Sequence, residues 1–153
     1  MDITELEGGS KSWSPEEIGD TIEGKILNVK RVQQTSFSDN TPLFWDNGDP
    51  RMQTVVELQT DLRSDDDDDG VRSIWLKGGK NFEPGSGKGS SGEVALAQAC
   101  RDAGSKSIDE GAVLKVAMTG LAKPTTRGYQ PAKLYTMKYE APVSSVDVDA
   151  LWE

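Results

Sequence analysis

Ten residues at positions 43–52, LFWDNGDPRM, hold the groups in this chain best suited to touching a ligand. Leu43, Phe44 and Trp45 form an apolar and aromatic load. Asp46, Asn47, Gly48, Asp49 and Pro50 favour turns, because Asn and Gly accept positive φ and Pro fixes it. Arg51 follows. An aromatic ring on a loop surface can stack on a nucleobase, a contact of about 1–3 kcal/mol whichever base it is. The same ring can instead fold under its loop and anchor it. Phe37, Phe44 and Trp45 carry both readings, and Tyr129 in a later loop either stacks or braces. Trp75 alternates with Ser73 and Lys77, opposite in parity to Ile74 and Leu76. If Ile74 and Leu76 face the core, Trp75 stands on the outer, ligand-facing side. Arg51, Lys77, Lys80, Lys123, Arg127 and Lys133 lie in or beside these loops and that strand. Together they would line a groove for phosphates; taken singly, each is also an ordinary solvated cation.

The missing residues exclude other chemistry. There is no histidine and one cysteine, Cys100. The commonest general base is absent, a zinc site is nearly excluded, and no internal disulfide can form, which fits a reducing compartment. Neither an eighteen-residue apolar run nor a leader pattern is found, so the chain is expected to be soluble, unexported and away from the membrane. Residues 85–90, GSGKGS, suggest a phosphate loop, but Phe82 and Gly89 break its spacing. Residues 65–70, DDDDDG, mimic the start of a calcium loop, but Leu76 stands where a bidentate glutamate is needed. An acidic hairpin tip that repels a polyanion is the reading favoured there. Cys100, among alanines, reads as core. No catalytic residue, metal or cofactor is expected, and the chain reads as a binder with no reaction to catalyse.

The net charge is −9, but acid is concentrated at both ends and in that tip. Outside residues 1–20, 65–69 and 141–153 there are 12 acids against 16 bases, a balance of +4. A mildly basic body suits a polyanion.

The elements that must position these groups follow from periodicity. Residues 1–19 are an acidic arm, expected to be loose, and the domain proper spans 20–142. Residues 20–32 read as a first strand whose apolar phase slips near Gly24, the mark of a bulge or coil. Residues 33–51 are a long loop, 52–62 an alternating second strand and 71–77 a third. Residues 78–92 are too glycine-rich for regular structure. A helix at 91–103 is expected, with a capping box from Ser90 to Glu93 and Gly104 closing it. Its inward residues are taken as Val94, Leu96, Ala97, Cys100 and Ala103. Strands at 112–121 and 132–140 flank a basic loop, and 143–153 is an acidic tail. The fold class is therefore all-β with one helix, in the order β-β-β-α-β-β. A five-stranded OB-fold barrel has this order, and it binds oligonucleotides across its second and third strands.

FWDNGDPRMQTVVELQTDLR, VRSIWLKG, IDEGAVLKVAMTG and GYQPAKLYTMKYEAP, with the alanine-rich helix between them, carry a resemblance over about residues 20–142. In this order they resemble the single-stranded DNA-binding proteins of actinobacteria-infecting tailed phages. The run from Trp45 to Pro50 and that from Gly128 to Tyr135 are the most distinctive parts. The resemblance implies an OB fold and largely sequence-independent binding of single-stranded DNA in phage replication or recombination. An RNA- or nucleotide-binding module, and an adaptor or virion component using the barrel as scaffold, are the rival readings. Assembly into a homo-oligomer is open, since one barrel covers a short stretch of strand. The tail, with Asp147, Asp149, Leu151 and Trp152, is similar in character to the acidic tails of bacterial single-stranded DNA-binding proteins. That likeness implies docking of replication or recombination proteins.

Overall fold

In the computed structural model the described residues are 11–36, 38–77, 84–123 and 132–142. They form strands β1 (Lys11–Ser12), β2 (Thr21–Gln33), β3 (Met52–Gln59), β4 (Val71–Lys77), β5 (Pro84–Gly87), β6 (Val113–Ala122) and β7 (Lys133–Glu140). One helix, α1 (Gly92–Asp102), lies between β5 and β6. The molecule is mostly β, as the alternation predicts. Ile74 and Leu76 on β4 are buried to 1% and 0% exposure, and Leu114, Val116 and Met118 on β6 are buried as expected. With Ile22, Ile26, Val56, Leu58, Tyr139 and the inner side of α1, most of these form one core. Each large aliphatic side chain there contributes about 1.5–3 kcal/mol by leaving water.

β2 organises the sheet by changing partners along its length. Its first part, from Thr21 to Lys25, runs antiparallel to β6, and its second, from Lys25 to Gln33, runs antiparallel to β3. The register slips between Ile26 and Asn28, so the extra residue is Leu27, three positions past the glycine near which the slip is expected. Gly24 serves the crossing of strands instead, since a Cβ there would lie 2.6 Å from the carbonyl oxygen of Gln59. Its bare backbone lets β2 cross tightly over β3 where the partners change. The strand order is β1-β4-β3-β2-β6-β5, with β7 also paired to β6. Among the described residues β4 and β7 share no ladder, so the sheet is open between them.

Three expectations are corrected. The arm is not loose from Lys11 onward: β1 pairs in parallel with β4, matching Lys11 to Arg72 and Ser12 to Ser73, and the Trp13 N–H donates to the Ser73 carbonyl at 2.9 Å. The glycine-rich stretch contains strand β5, which pairs with β6 at Ala122, Leu121 and Gly120. Backbone alone makes that ladder; a Cβ on Gly87 would sit 2.2 Å from the Thr119 carbonyl oxygen. The helix is also turned from its expected phase.

Ser91, not Ser90, caps the helix, and no side chain bonds the cap. Ser90 instead exchanges backbone hydrogen bonds with Tyr135 at 2.9 and 2.7 Å. Glu93 turns to β3 and β2, accepting from Thr54 Oγ1 at 2.9 Å and pairing with Arg31 Nε at 3.6 Å. The buried face is Gly92, Ala95, Leu96, Ala99 and Cys100, while Val94, Ala97 and Ala103 are exposed. Gly92 lets the helix start directly on Leu76. At the other end Gly104 holds φ +73 and donates to the Arg101 carbonyl, and Ser105 donates to that of Cys100 at 2.9 Å. That doubly bonded glycine stop is the expected one.

Candidate nucleic-acid interface

The loop after β2 is built like a small piece of sheet. Thr35 bridges Pro42 and Phe44 bridges Pro50. Gln34 donates its backbone N–H to Arg51 O at 2.7 Å, and its buried side-chain amide donates to Met52 O at 3.0 Å. The Gln33 amide donates to Leu43 O at 3.0 Å. At the tip Trp45 N–H donates to Asp49 O at 2.8 Å, and Gly48 takes the φ of +90 that this turn requires. Asn47 and Asp49 bond one another through side chain and backbone. Hydrogen bonds thus hold the loop from within. Phe44 and Trp45 do not have to fill it, and they stay 54% and 46% exposed.

Arg51 lies over this tip, its guanidinium carbon 4.5 Å from the centre of the Trp45 ring. Its Nε is buried and has no hydrogen-bond partner. A guanidinium over a ring is held there by a cation–π contact of about 0.5–2 kcal/mol, and among the described residues no carboxylate competes for it here. Arg51 stands two positions before Gln53, about 7 Å along the extended chain and on the same side. Gln53 is opposite both Lys77 on β4 and Val32 on β2. The next pair of the same parity is Val55, itself buried, with the exposed Trp75, and Lys30 on β2 is opposite Val55. Trp75 is 47% exposed, as the burial of its neighbours requires, and its indole N–H donates to Ser12 Oγ at 3.1 Å. One face of β2, β3 and β4 therefore carries Lys30, Lys77, Trp75 and, at its end, the Arg51–Trp45 stack.

Lys30 is a member of this face that the sequence reading missed. The signal was the phase slip, which, carried past Leu27, turns Lys30 outward with Asn28 and Val32. Lys133 is placed differently from the rest: its ammonium donates to Ser14 Oγ at 3.0 Å and to the Pro15 carbonyl, so the arm holds it. Lys123 is exposed at the end of β6. Phe37, Lys80, Arg127 and Tyr129, and the tail residues Asp147, Asp149, Leu151 and Trp152, lie outside the described residues. Among the described residues no cluster of acids and Cys could hold a metal ion.

The far end of the β3–β4 hairpin is acidic, and it is built around one buried carboxylate. Asp68 is buried and accepts from Arg72 Nη1 at 2.9 Å and Nη2 at 2.6 Å, from Ser64 N at 2.7 Å and from Gly70 N at 2.8 Å. The Arg72 guanidinium, with those backbone donors, holds the Asp68 carboxyl far below the usual carboxylate range. In return Asp68 raises Arg72. Lys11 reaches the same tip, 3.8 Å from Asp68 and 3.9 Å from Asp65, and bonds Ser64 Oγ. Asp65, Asp66, Asp67 and Asp69 remain exposed. Nothing in the spacing of five consecutive aspartates marks the fourth as the buried one.

No protein-family model, curated protein or solved structure matches the chain.

Proposed function

We propose that this is a single-stranded DNA-binding protein on a five-stranded OB-fold barrel made of β2, β3, β4, β6 and β7. It would serve phage DNA replication or recombination. The observation that carries the reading is the outer face of β2–β4: an exposed Trp75 among Lys30 and Lys77, ending in Arg51 over the exposed Trp45 ring. Rings exposed on a rigid sheet and hairpin take any base, and the cations take the backbone between bases. The partner exchange along β2, the helix between β4 and β6, and the long loop after β2 suit an OB barrel. The acidic tail would dock replication or recombination proteins, and several copies would cover a longer strand side by side or as a homo-oligomer.

A gel shift with oligo-dT, the matching duplex and oligo-U tests the reading. Oligo-dT is expected to be retarded at the lowest protein concentration and the duplex at the highest. Preference for oligo-U would turn the reading to RNA. Failure to retard any probe at low salt would leave the barrel a scaffold for protein contacts.

A further inference from the structure

We infer that residues 11–15 of the arm are a working part of the nucleic-acid face, with Ser12 as the positioning residue for Trp75. The inference rests on the single-stranded DNA reading of that face. Trp75 stands on β4 and Lys133 on β7, two strands that share no ladder among the described residues. The arm touches both. Ser12 Oγ accepts the Trp75 indole N–H at 3.1 Å, and two residues on Ser14 Oγ and the Pro15 carbonyl accept from the Lys133 ammonium. Between them Trp13 packs against the core and donates its N–H to Ser73 O, and Pro15 is fully buried.

The arm is itself fixed at each end. Lys11 is tied to Ser64 Oγ and lies 3.8 Å from the buried Asp68 carboxylate. Beyond Pro15, Glu16 N–H and Glu17 N–H both donate to the Asp20 carboxylate, and Gly19 N–H donates to Met118 O at 2.8 Å. A two-residue parallel ladder is weak alone. These anchors and the buried Pro15 keep Ser12 in register with Ser73, two residues from Trp75.

The physical consequence concerns the ring. A half-exposed indole on a strand has several rotamers, and stacking on a base selects one of them. A fixed acceptor for the indole N–H selects that rotamer beforehand, so less entropy is lost on binding.

The test uses the full chain with Ser12→Ala and Ser12→Thr. In proton–nitrogen NMR the Trp75 indole N–H signal is identified by its loss in Trp75→Phe. Ser12→Ala is expected to move that signal towards the position of a solvated indole and to weaken oligo-dT binding about two- to ten-fold. Ser12→Thr keeps the hydroxyl and is expected to restore both. An unmoved indole signal in Ser12→Ala overturns the inference. So does a moved signal with unchanged oligo-dT affinity while Trp75→Ala binds weakly. If the wild-type chain fails to bind oligo-dT, the reading of the face is what fails; the Ser12 contact is still judged by the NMR signal, but its role in binding falls with the face.

Discussion

Two arginines near opposite ends of the β3–β4 hairpin have opposite fates. Arg72, on the inner side near the acidic tip, gives both Nη groups to Asp68 and is buried. Arg51, just before β3, lies on the Trp45 ring with a buried Nε that nothing accepts from. The ladder between them, from Gln53 opposite Lys77 to Gln59 opposite Val71, spans about 20 Å. An arginine already in a bidentate pair can take a phosphate only by giving up its carboxylate. Among the described residues Arg51 has no carboxylate to give up. The hairpin thus separates an arginine held by a carboxylate from one held by a ring, and the proposed path of an anionic strand lies at the second.

The strongest way to break this contrast is to remove the counter-ion at the acidic end. Asp68→Ala leaves Arg72 buried and unpaired and strips the backbone donors around it of their acceptor, which is among the costlier single changes a fold can undergo. Thermal unfolding is expected to show the largest loss of any variant considered. If Asp68→Ala melts like the wild type, the pair is ornamental and the contrast collapses.

Next comes the binding face. Trp75→Ala and Trp45→Ala are each expected to weaken single-stranded DNA binding by about 1–3 kcal/mol, roughly 5- to 150-fold, with far-ultraviolet circular dichroism unchanged. Loss of the folded spectrum in Trp75→Ala would mean that the ring supports the fold rather than the ligand. Arg51→Ala should act more gently on affinity at low salt. It is expected to lower the slope of log affinity against log salt by about 0.7, one phosphate contact on a single strand. An unchanged slope would remove Arg51 from the groove.

Acid sharpens the comparison from the other side. Because the folded Asp68 carboxyl titrates below its unfolded value, its contribution to stability is fully present at neutral pH. That contribution is lost progressively as pH falls below about 4, where the unfolded carboxyl takes up its proton and the folded one does not. Denaturant melts between pH 7 and pH 2 should therefore show a steep acid loss in the wild type and a shallower one in Asp68→Asn. Equal slopes would place the acid sensitivity elsewhere. The smallest effect is expected from the tail: deleting 143–153 should leave affinity for single strands equal or slightly higher, and loss of binding would make the tail part of the site.

How far the sequence could be read depends on whether side chains or backbone decide each feature. β3 and β4 were legible, and so was the outward Trp75, because burial on one face forces alternation. Gly104 was legible because a left-handed helix stop favours glycine. The phase of α1 was not, since alanines at 95, 97, 99 and 103 offer the same small apolar surface on several sides. β5 was hidden for the opposite reason: Gly85 and Gly87 carry no pattern, and the ladder with β6 is a matter of backbone approach. The arm escaped because its hold on the fold is made of single contacts, Lys11, Ser12 and Trp13 each to a residue more than fifty positions away, which no local period records. In the site, Trp45 and Arg51 were visible as neighbours in the chain, but their stacking depends on hydrogen bonds inside the loop.

The central claim, that a single strand lies on the Arg51–Trp75 face and avoids the acidic tip, is tested most directly by photocrosslinking. Oligo-dT carrying an aryl-diazirine on its bases, whose carbene inserts into any side chain, is irradiated in complex with the full chain, and the adducts are located by mass spectrometry. Adducts are expected on Trp45, Phe44 or Trp75, with none in residues 61–70. Adducts within 61–70, or a bound strand that crosslinks to neither loop nor sheet face, would contradict it.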